Sequence, residues 1–102
     1  MSKKTTIPPV HPGMYLKELL DELGLSQYRF AKDIGVTAMR INHVIKGKRP
    51  LNAELALRLG LYFRQSPRYW LNLQSRYDMD IAEDTLYDQL EQQVRPFALA
   101  AP

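Results

Sequence analysis

The most informative stretch of the chain is residues 26–47, SQYRFAKDIGVTAMRINHVIKG, which predicts two short helices joined by a tight turn. Ser26 is a good N-cap for the first helix, and Gly35 tolerates the left-handed backbone that a sharp turn needs. Thr37 caps a second helix that runs to about Lys46. The residues placed to bury the inner faces are Ala31, Ile34, Val36, Ile41, Val44 and Ile45. This is the layout of a helix-turn-helix, whose second helix enters the DNA major groove.

The outward face of the second helix supplies candidate DNA contacts, which are Ala38, Met39, Arg40, Asn42 and His43. Asn42 is the sharpest of them, because asparagine forms a bidentate pair with adenine; an ordinary exposed asparagine is the alternative. Ala38 and Met39 offer apolar contact to thymine methyls. Arg40 lies more to the side, which favours phosphate. His43 reaches a base or a phosphate, and a lone surface histidine is an equally good interpretation.

The residues around this face are candidates for phosphate contact. Gln27, at a helix N-terminus, is placed to donate to a phosphate oxygen, with a solvated glutamine as the alternative. Thr37 suits a phosphate or a thymine methyl, although its capping role explains it nearly as well. Lys46, Lys48 and Arg49 follow the second helix directly, and such a cluster is expected to neutralise phosphates rather than form a merely solvated loop.

Two further helices are predicted to pack against this pair, one before it and one after it in the sequence. His11-Pro12-Gly13 begins the first, and Gly24 ends it. Its apolar face is Leu16, Leu19, Leu20 and Leu23. Asn52 caps the other. Its buried face is Leu55, Ala56, Leu59, Tyr62 and Phe63.

The C-terminal part of the chain predicts two more helices. Ser66-Pro67 is a strong helix start, and the inner stripe that follows is Trp70, Leu71, Leu73 and Tyr77. Asp80 caps a last helix that stops near Pro96. Its apolar residues are Ile81, Leu86, Leu90 and Val94. The chain therefore divides into a flexible arm (1–10), an all-α DNA-binding domain (11–79), an acidic C-terminal helix (80–95) and a frayed tail (96–102).

Composition excludes several classes of protein. The 102 residues contain no cysteine, no apolar run near the roughly 20 residues that span a bilayer, and no secretory signal after Lys3 and Lys4. A soluble cytoplasmic protein is expected. Residues 1–76 carry 13 basic and 5 acidic side chains, a net charge of +8, whereas residues 77–102 carry a net charge of −5. A basic body with an acidic end suits a protein that touches a polyanion with one end only.

No pattern indicates catalysis, a metal site or a cofactor. His11 and His43 lie on different predicted elements, and neither belongs to a recognisable constellation with an acid. The carboxylates of Asp78, Asp80, Glu83 and Asp84 lack the spacing of a calcium loop. They are interpreted as a charge cluster at a helix N-terminus.

Three blocks of sequence resemble the HigA family of type II antitoxins, a branch of the lambda-repressor-like (XRE/Cro) helix-turn-helix proteins. The first is His11-Pro12-Gly13 with Leu16-Lys17-Glu18-Leu19, and the second is residues 26–49. The third and most family-specific is Ser66-Pro67-Arg68-Tyr69-Trp70-Leu71-Asn72-Leu73-Gln74 with Tyr77-Asp78. The resemblance covers about residues 11–80. It implies a five-helix DNA-binding domain, here with an additional C-terminal helix, that acts as a homodimer on double-stranded DNA bearing an inverted repeat.

The resemblance also implies a toxin partner, a HigB-like, mRNA-cleaving ribonuclease of the RelE-like fold, and repression of the shared operon. Such a toxin is expected to have a basic surface, for which the acidic segment is the natural counterpart. Its exposed acids are predicted to be Asp80, Glu83, Asp84, Asp88 and Glu91. An equally good interpretation is that this helix only closes the core of the chain itself or forms its dimer. Two other functions stay open: a stand-alone repressor without a toxin, and a helical interaction module that binds no DNA.

Overall fold

The computed structural model describes residues 8–98, in which five α-helices and no strands occur. The helices are α1 (Pro12–Leu23), α2 (Gln27–Ile34), α3 (Ala38–Ile45), α4 (Ala53–Phe63) and α5 (Pro67–Gln93). The predicted all-α, five-helix architecture is confirmed. Residues 8–10 and 94–98 lie outside the helices, and the rest of the predicted arm and tail lies outside the described residues. No helix in the described part of the chain is both long and apolar enough to cross a membrane.

Short polar side chains fix where the helices begin, as the sequence predicts. Ser26 Oγ accepts a hydrogen bond from the backbone N–H of Arg29, and Thr37 Oγ1 accepts one from that of Arg40, each at 3.1 Å. Asn52 and Ser66 cap α4 and α5 in the same way. These bonds satisfy backbone donors that the first turn of a helix leaves without intrahelical partners. The helix starts are therefore set locally.

The turn between α2 and α3 depends on Gly35, whose φ of 78° lies in the left-handed region. Its N–H bonds to the carbonyl of Lys32 at 3.2 Å, and the N–H of Val36 bonds to that of Ala31 at 3.0 Å. A Cβ at this φ is strained, so glycine is the residue that allows α2 to stop and α3 to cross it. The helix-turn-helix predicted over residues 26–47 is present with the expected boundaries.

A single apolar core lies between the five helices. Its buried side chains are Leu16, Leu20, Phe30, Ala31, Ile34, Ile41, Val44, Ile45, Leu51, Leu55, Ala56, Leu59 and Trp70. Leu19, Val36 and Leu71 pack against this core from half-buried positions. One prediction about faces is wrong: Leu23, in the last turn of α1, is 53% exposed. Ala38 is half-buried with part of its surface against the core, so its predicted contact with DNA stays a prediction.

Close backbone contact holds α1 against the recognition helix α3. A Cβ built on Gly13 would lie 2.8 Å from Cα of Ile45, so the two backbones meet where any larger residue would force them apart. Val44 and Ile45 are buried beside it. The orientation of α3 therefore depends on the first turn of α1 as well as on α2.

The predicted break at Asp80 does not exist. Helix α5 runs without interruption from Pro67 to Gln93, so the additional C-terminal helix is the second half of α5. No glycine or proline occurs between Pro67 and Pro96, and an aspartate without such a breaker does not end a helix. The carboxylates at 78, 80, 83 and 84 consequently lie in the middle of a helix, where the dipole of a helix N-terminus does not act. Among the described residues, no group of acids and histidines is arranged to hold a metal ion.

Candidate nucleic-acid interface

Helix α3 presents one face to solvent, and its residues differ widely in exposure. Met39 is 68% exposed and is the large apolar side chain that this face presents to solvent. Asn42 and His43 are half-buried, since both lie at the margin of the contact with neighbouring elements. A half-buried polar side chain has fewer rotamers available than an exposed one, so it enters a groove with a more defined position.

The structure brings two of the predicted DNA contacts together. The Asn42 Nδ2 group donates a hydrogen bond to Gln27 Oε1 at 3.2 Å, although the two residues lie 15 positions apart. Gln27 is itself fixed by the start of α2, next to the Ser26 cap. The bond orients the Asn42 amide and leaves its oxygen and its second N–H available, which are the groups that pair with an adenine edge.

Arg40 is held by a carboxylate and an amide. Its Nη2 donates to Glu54 Oε1 at 3.1 Å and to Asn52 Oδ1 at 3.3 Å, and only 20% of the side chain is exposed. Glu54 also accepts from Arg58 at 2.9 Å, and the hydrogen bonds from Arg58 and Arg40 lower the pKa of the Glu54 carboxyl. Arg40 is therefore placed at the N-terminus of α4. Its predicted phosphate contact stays a prediction.

The basic loop, residues 46–49, projects its cationic side chains into solvent. Lys46, Lys48 and Arg49 are all exposed, and the described residues offer them no ion-pair partner. The backbone is nevertheless fixed, because the carbonyl of His43 accepts from the N–H groups of Lys48 at 2.8 Å and Arg49 at 3.2 Å. Three cations on an ordered backbone beside the recognition helix form a suitable phosphate-binding edge.

Two buried polar residues support this loop, and sequence reasoning missed the role of both. Gln74 of α5 is 8% exposed; its Oε1 accepts from the Leu51 N–H at 2.7 Å, and its Nε2 donates to Asp78 at 2.9 Å. His11 is equally buried and accepts the Gly13 N–H on Nδ1 at 2.9 Å. His11 belongs to the His11-Pro12-Gly13 motif and Gln74 to the motif that begins at Ser66, but their contacts form only when the helices pack.

His11 lies where α1, α5 and the basic loop meet. Its ring is edge-on to Tyr77 at a centroid distance of 5.0 Å and packs beside Gly47. Burial lowers the pKa of His11, and this exceeds the opposing effects of a hydrogen bond with the Arg49 backbone and of the Asp78 charge. The neutral ring is the form that accepts a hydrogen bond from Gly13, so the geometry and the pKa agree.

The geometry thus consists of a recognition helix, a paired Gln27 and Asn42, and a basic edge. A helix-turn-helix family model (HTH_3) matches residues 16–70 of this chain, which include all of α2, α3 and α4. The chain belongs to this helix-turn-helix family.

Several named proteins resemble the chain over most of its length. Virulence-associated protein I of Dichelobacter nodosus is 41% identical over 81 residues, which cover 78% of this chain and 75% of the relative. An addiction module antidote protein of the HigA family from Coxiella burnetii superimposes with a TM-score of 0.85 at 35% identity, covering 89% of this chain and all of the other. The Pseudomonas aeruginosa antitoxin HigA, solved with the higBA promoter, gives a TM-score of 0.83 at 35% identity and covers 88% and 99% of the two chains.

Proposed function

We propose that this chain is a DNA-binding antitoxin of a type II toxin–antitoxin pair, which represses its own operon in the cytoplasm and neutralises a HigB/RelE-like mRNA-cleaving toxin. The observation that carries the proposal is the Asn42–Gln27 pair on a recognition helix edged by the basic loop. It occurs in a fold shared, along nearly the whole chain, with an antitoxin solved on promoter DNA. A non-DNA-binding module would have no use for three exposed cations beside such a helix.

DNA binding follows from the chemistry of this surface. Asn42 pairs with an adenine, Met39 contacts thymine methyls, and His43 lies beside them. Gln27, Thr37 and the basic loop contact phosphates and fix the register of α3 in the major groove. No group in this set activates a nucleophile or holds a metal, so the surface acts by binding alone.

The operator contact requires two copies of the chain, and the second half of α5 supplies the surface that joins them. Met79, Leu86, Leu90 and Val94 recur along one side of α5, and between 41% and 62% of each is exposed. Apolar side chains in such a row favour burial against an identical helix across a two-fold axis. The resulting dimer places its recognition helices on half-sites about one helical turn apart, roughly 34–36 Å.

The core of the chain itself does not need this half of α5. Among the described residues, the last buried side chain along the sequence is that of Gln74, and every apolar residue between 81 and 98 is exposed or half-buried. Of the sequence-based alternatives, closure of the chain's own core is therefore disfavoured, whereas dimerisation and toxin contact remain. The apolar stripe favours the dimer.

Co-expression tests the antitoxin role, and a binding assay tests repression. The chain should restore growth to cells that express the basic, RelE-like protein of the neighbouring reading frame, and the two should co-purify. It should also retard DNA from its own promoter in a gel-shift assay. Promoter binding without growth rescue would identify a stand-alone repressor, and failure of both would leave only an interaction module.

A further inference from the structure

A groove between α1 and the start of α5 lies away from every residue assigned to DNA. Its walls are Tyr15, Glu18, Leu19 and Glu22 of α1 and Tyr69 and Trp70 of α5. No residue of α2, α3 or the basic loop lines it. A molecule seated here would leave the recognition helix free to enter the major groove.

The groove combines aromatic faces with carboxylates. Tyr15 and Tyr69 are 39% and 49% exposed, so part of each ring is open to a ligand. Tyr69 stands edge-on to the ring of Trp70 at 5.2 Å, and the Trp70 Nε1–H donates to Gln65 Oε1 at 3.0 Å. Trp70 is therefore held in place, and Tyr69 packs against its ring.

The groove itself carries negative charge. Glu18 and Glu22 lie one helical turn apart on α1, and neither has an ion-pair partner among the described residues, whereas Lys17 and Asp21 beside them pair with each other at 2.8 Å. No lysine or arginine lines the groove. Two unpaired carboxylates thus occur in a part of the chain, residues 1–76, that carries a net charge of +8.

We propose that this groove is the docking site for an arginine or lysine side chain of the toxin. The inference rests on the proposed antitoxin function. Carboxylates and tyrosine faces together bind a guanidinium or ammonium group, the first by charge and the second by cation–π attraction. A ribonuclease that binds RNA must display such cations, so the charges of the two surfaces are complementary. In this arrangement the acidic second half of α5 forms the dimer and does not contact the toxin.

The test uses the full-length chain and two double variants that remove the same charge. Glu18→Gln/Glu22→Gln neutralises the groove, and Asp80→Asn/Asp88→Asn neutralises two acids of α5. A nine-residue polyarginine peptide is the toxin-independent probe. Trp70 is the only tryptophan in the chain and borders the groove, so a change in its fluorescence reports a ligand bound beside it. Promoter binding, measured in parallel, establishes that each variant is folded.

The groove variant should bind both the peptide, as reported by Trp70 fluorescence, and the toxin about tenfold more weakly than the parent. The α5 variant should change each of these affinities less than twofold. Tyr69→Leu, which keeps the apolar contact but removes the π face, should weaken the peptide response as well. Wild-type affinity in the groove variant, or an equal loss in the α5 variant, would overturn the assignment while leaving the antitoxin role intact. If the wild-type chain captures no toxin at all, the proposed function itself fails.

Discussion

At the scale of single residues, the interface depends on a side chain that another side chain orients. Asn42 approaches a base with its amide already bonded to Gln27. Replacing Asn42 by alanine should cost about 1–3 kcal/mol on the cognate operator and relax the preference at one base pair. Titrations against the operator and against single-base variants measure this. An equal loss on random DNA would show that Asn42 contacts no base.

Gln27 provides a matched control for that experiment. Gln27→Ala removes the partner of Asn42 and one predicted phosphate contact without removing the amide that pairs with adenine. Affinity should therefore fall on all sequences, while the preference at the Asn42 base pair declines only in part. If both variants behave identically, the bond between the two amides is not what orients Asn42.

His11 makes the stability of the fold depend on pH. Burial lowers the pKa of His11 in the folded chain below 6.5, so acidification protonates this histidine in the unfolded chain first. Its contribution to stability is complete above about pH 6.5 and declines as the pH falls toward the folded pKa, by at most about 1.4 kcal/mol per pH unit.

Urea unfolding from about pH 8 to about pH 5 tests the assignment, with His11→Asn as the matched variant. Asparagine still caps a helix but does not titrate, so the variant should lose less stability on acidification than the parent. All other titratable groups are common to the two chains, so their contributions cancel in the comparison. Parallel pH profiles would show that His11 is not the responsible group.

At the scale of elements, the helix ends were predictable and the contacts between helices were not. Ser26, Thr37 and Asn52 act on backbone groups within three residues, so their sequence context suffices. The bonds of Arg40 to Glu54 and of Asn42 to Gln27 join residues 14 and 15 positions apart and exist only after the helices pack. The prediction of a helix break at Asp80 was wrong for a related reason. A residue type that caps helices marks a helix start only where the backbone before it is not helical.

The basic loop should dominate the salt dependence of DNA binding. Lys46, Lys48 and Arg49 are exposed on a backbone fixed by His43. Each phosphate contact that is removed should lower the slope of log affinity against log salt by about 0.9, so the triple alanine variant should lose about 2.7 from the slope. Gel-shift titrations between low and moderate salt measure it. A variant with the parental slope would place the phosphate contacts elsewhere.

At the scale of the whole molecule, the chain is asymmetric in charge and in burial along α5. The first half of α5 completes the core through Trp70 and supports the basic loop through Gln74, whereas residues 81–98 contribute no fully buried side chain. The first half of α5 thus serves the core and the DNA-binding edge, whereas the second half leaves exposed the apolar side chains proposed to join two copies of the chain. The charges in the sequence indicate this asymmetry. The exposed apolar stripe is not evident from the sequence, because Met79 and Leu86 share one side of a helix only when α5 is continuous through Asp80.

A chain that ends at Asp80 separates the three roles assigned to the molecule. It retains Trp70, Gln74 and Tyr77, so it should fold, with a thermal transition close to that of the parent. It lacks Leu86, Leu90 and Val94, so it should sediment as a monomer and bind a two-half-site operator far more weakly than the parent, while a single half-site is bound with unchanged affinity. Because Glu18, Glu22 and Tyr69 remain, it should still capture the toxin. If the truncated chain stays dimeric, the dimer surface lies elsewhere. If it folds and binds a half-site but no longer binds the toxin, the toxin contact lies in the second half of α5.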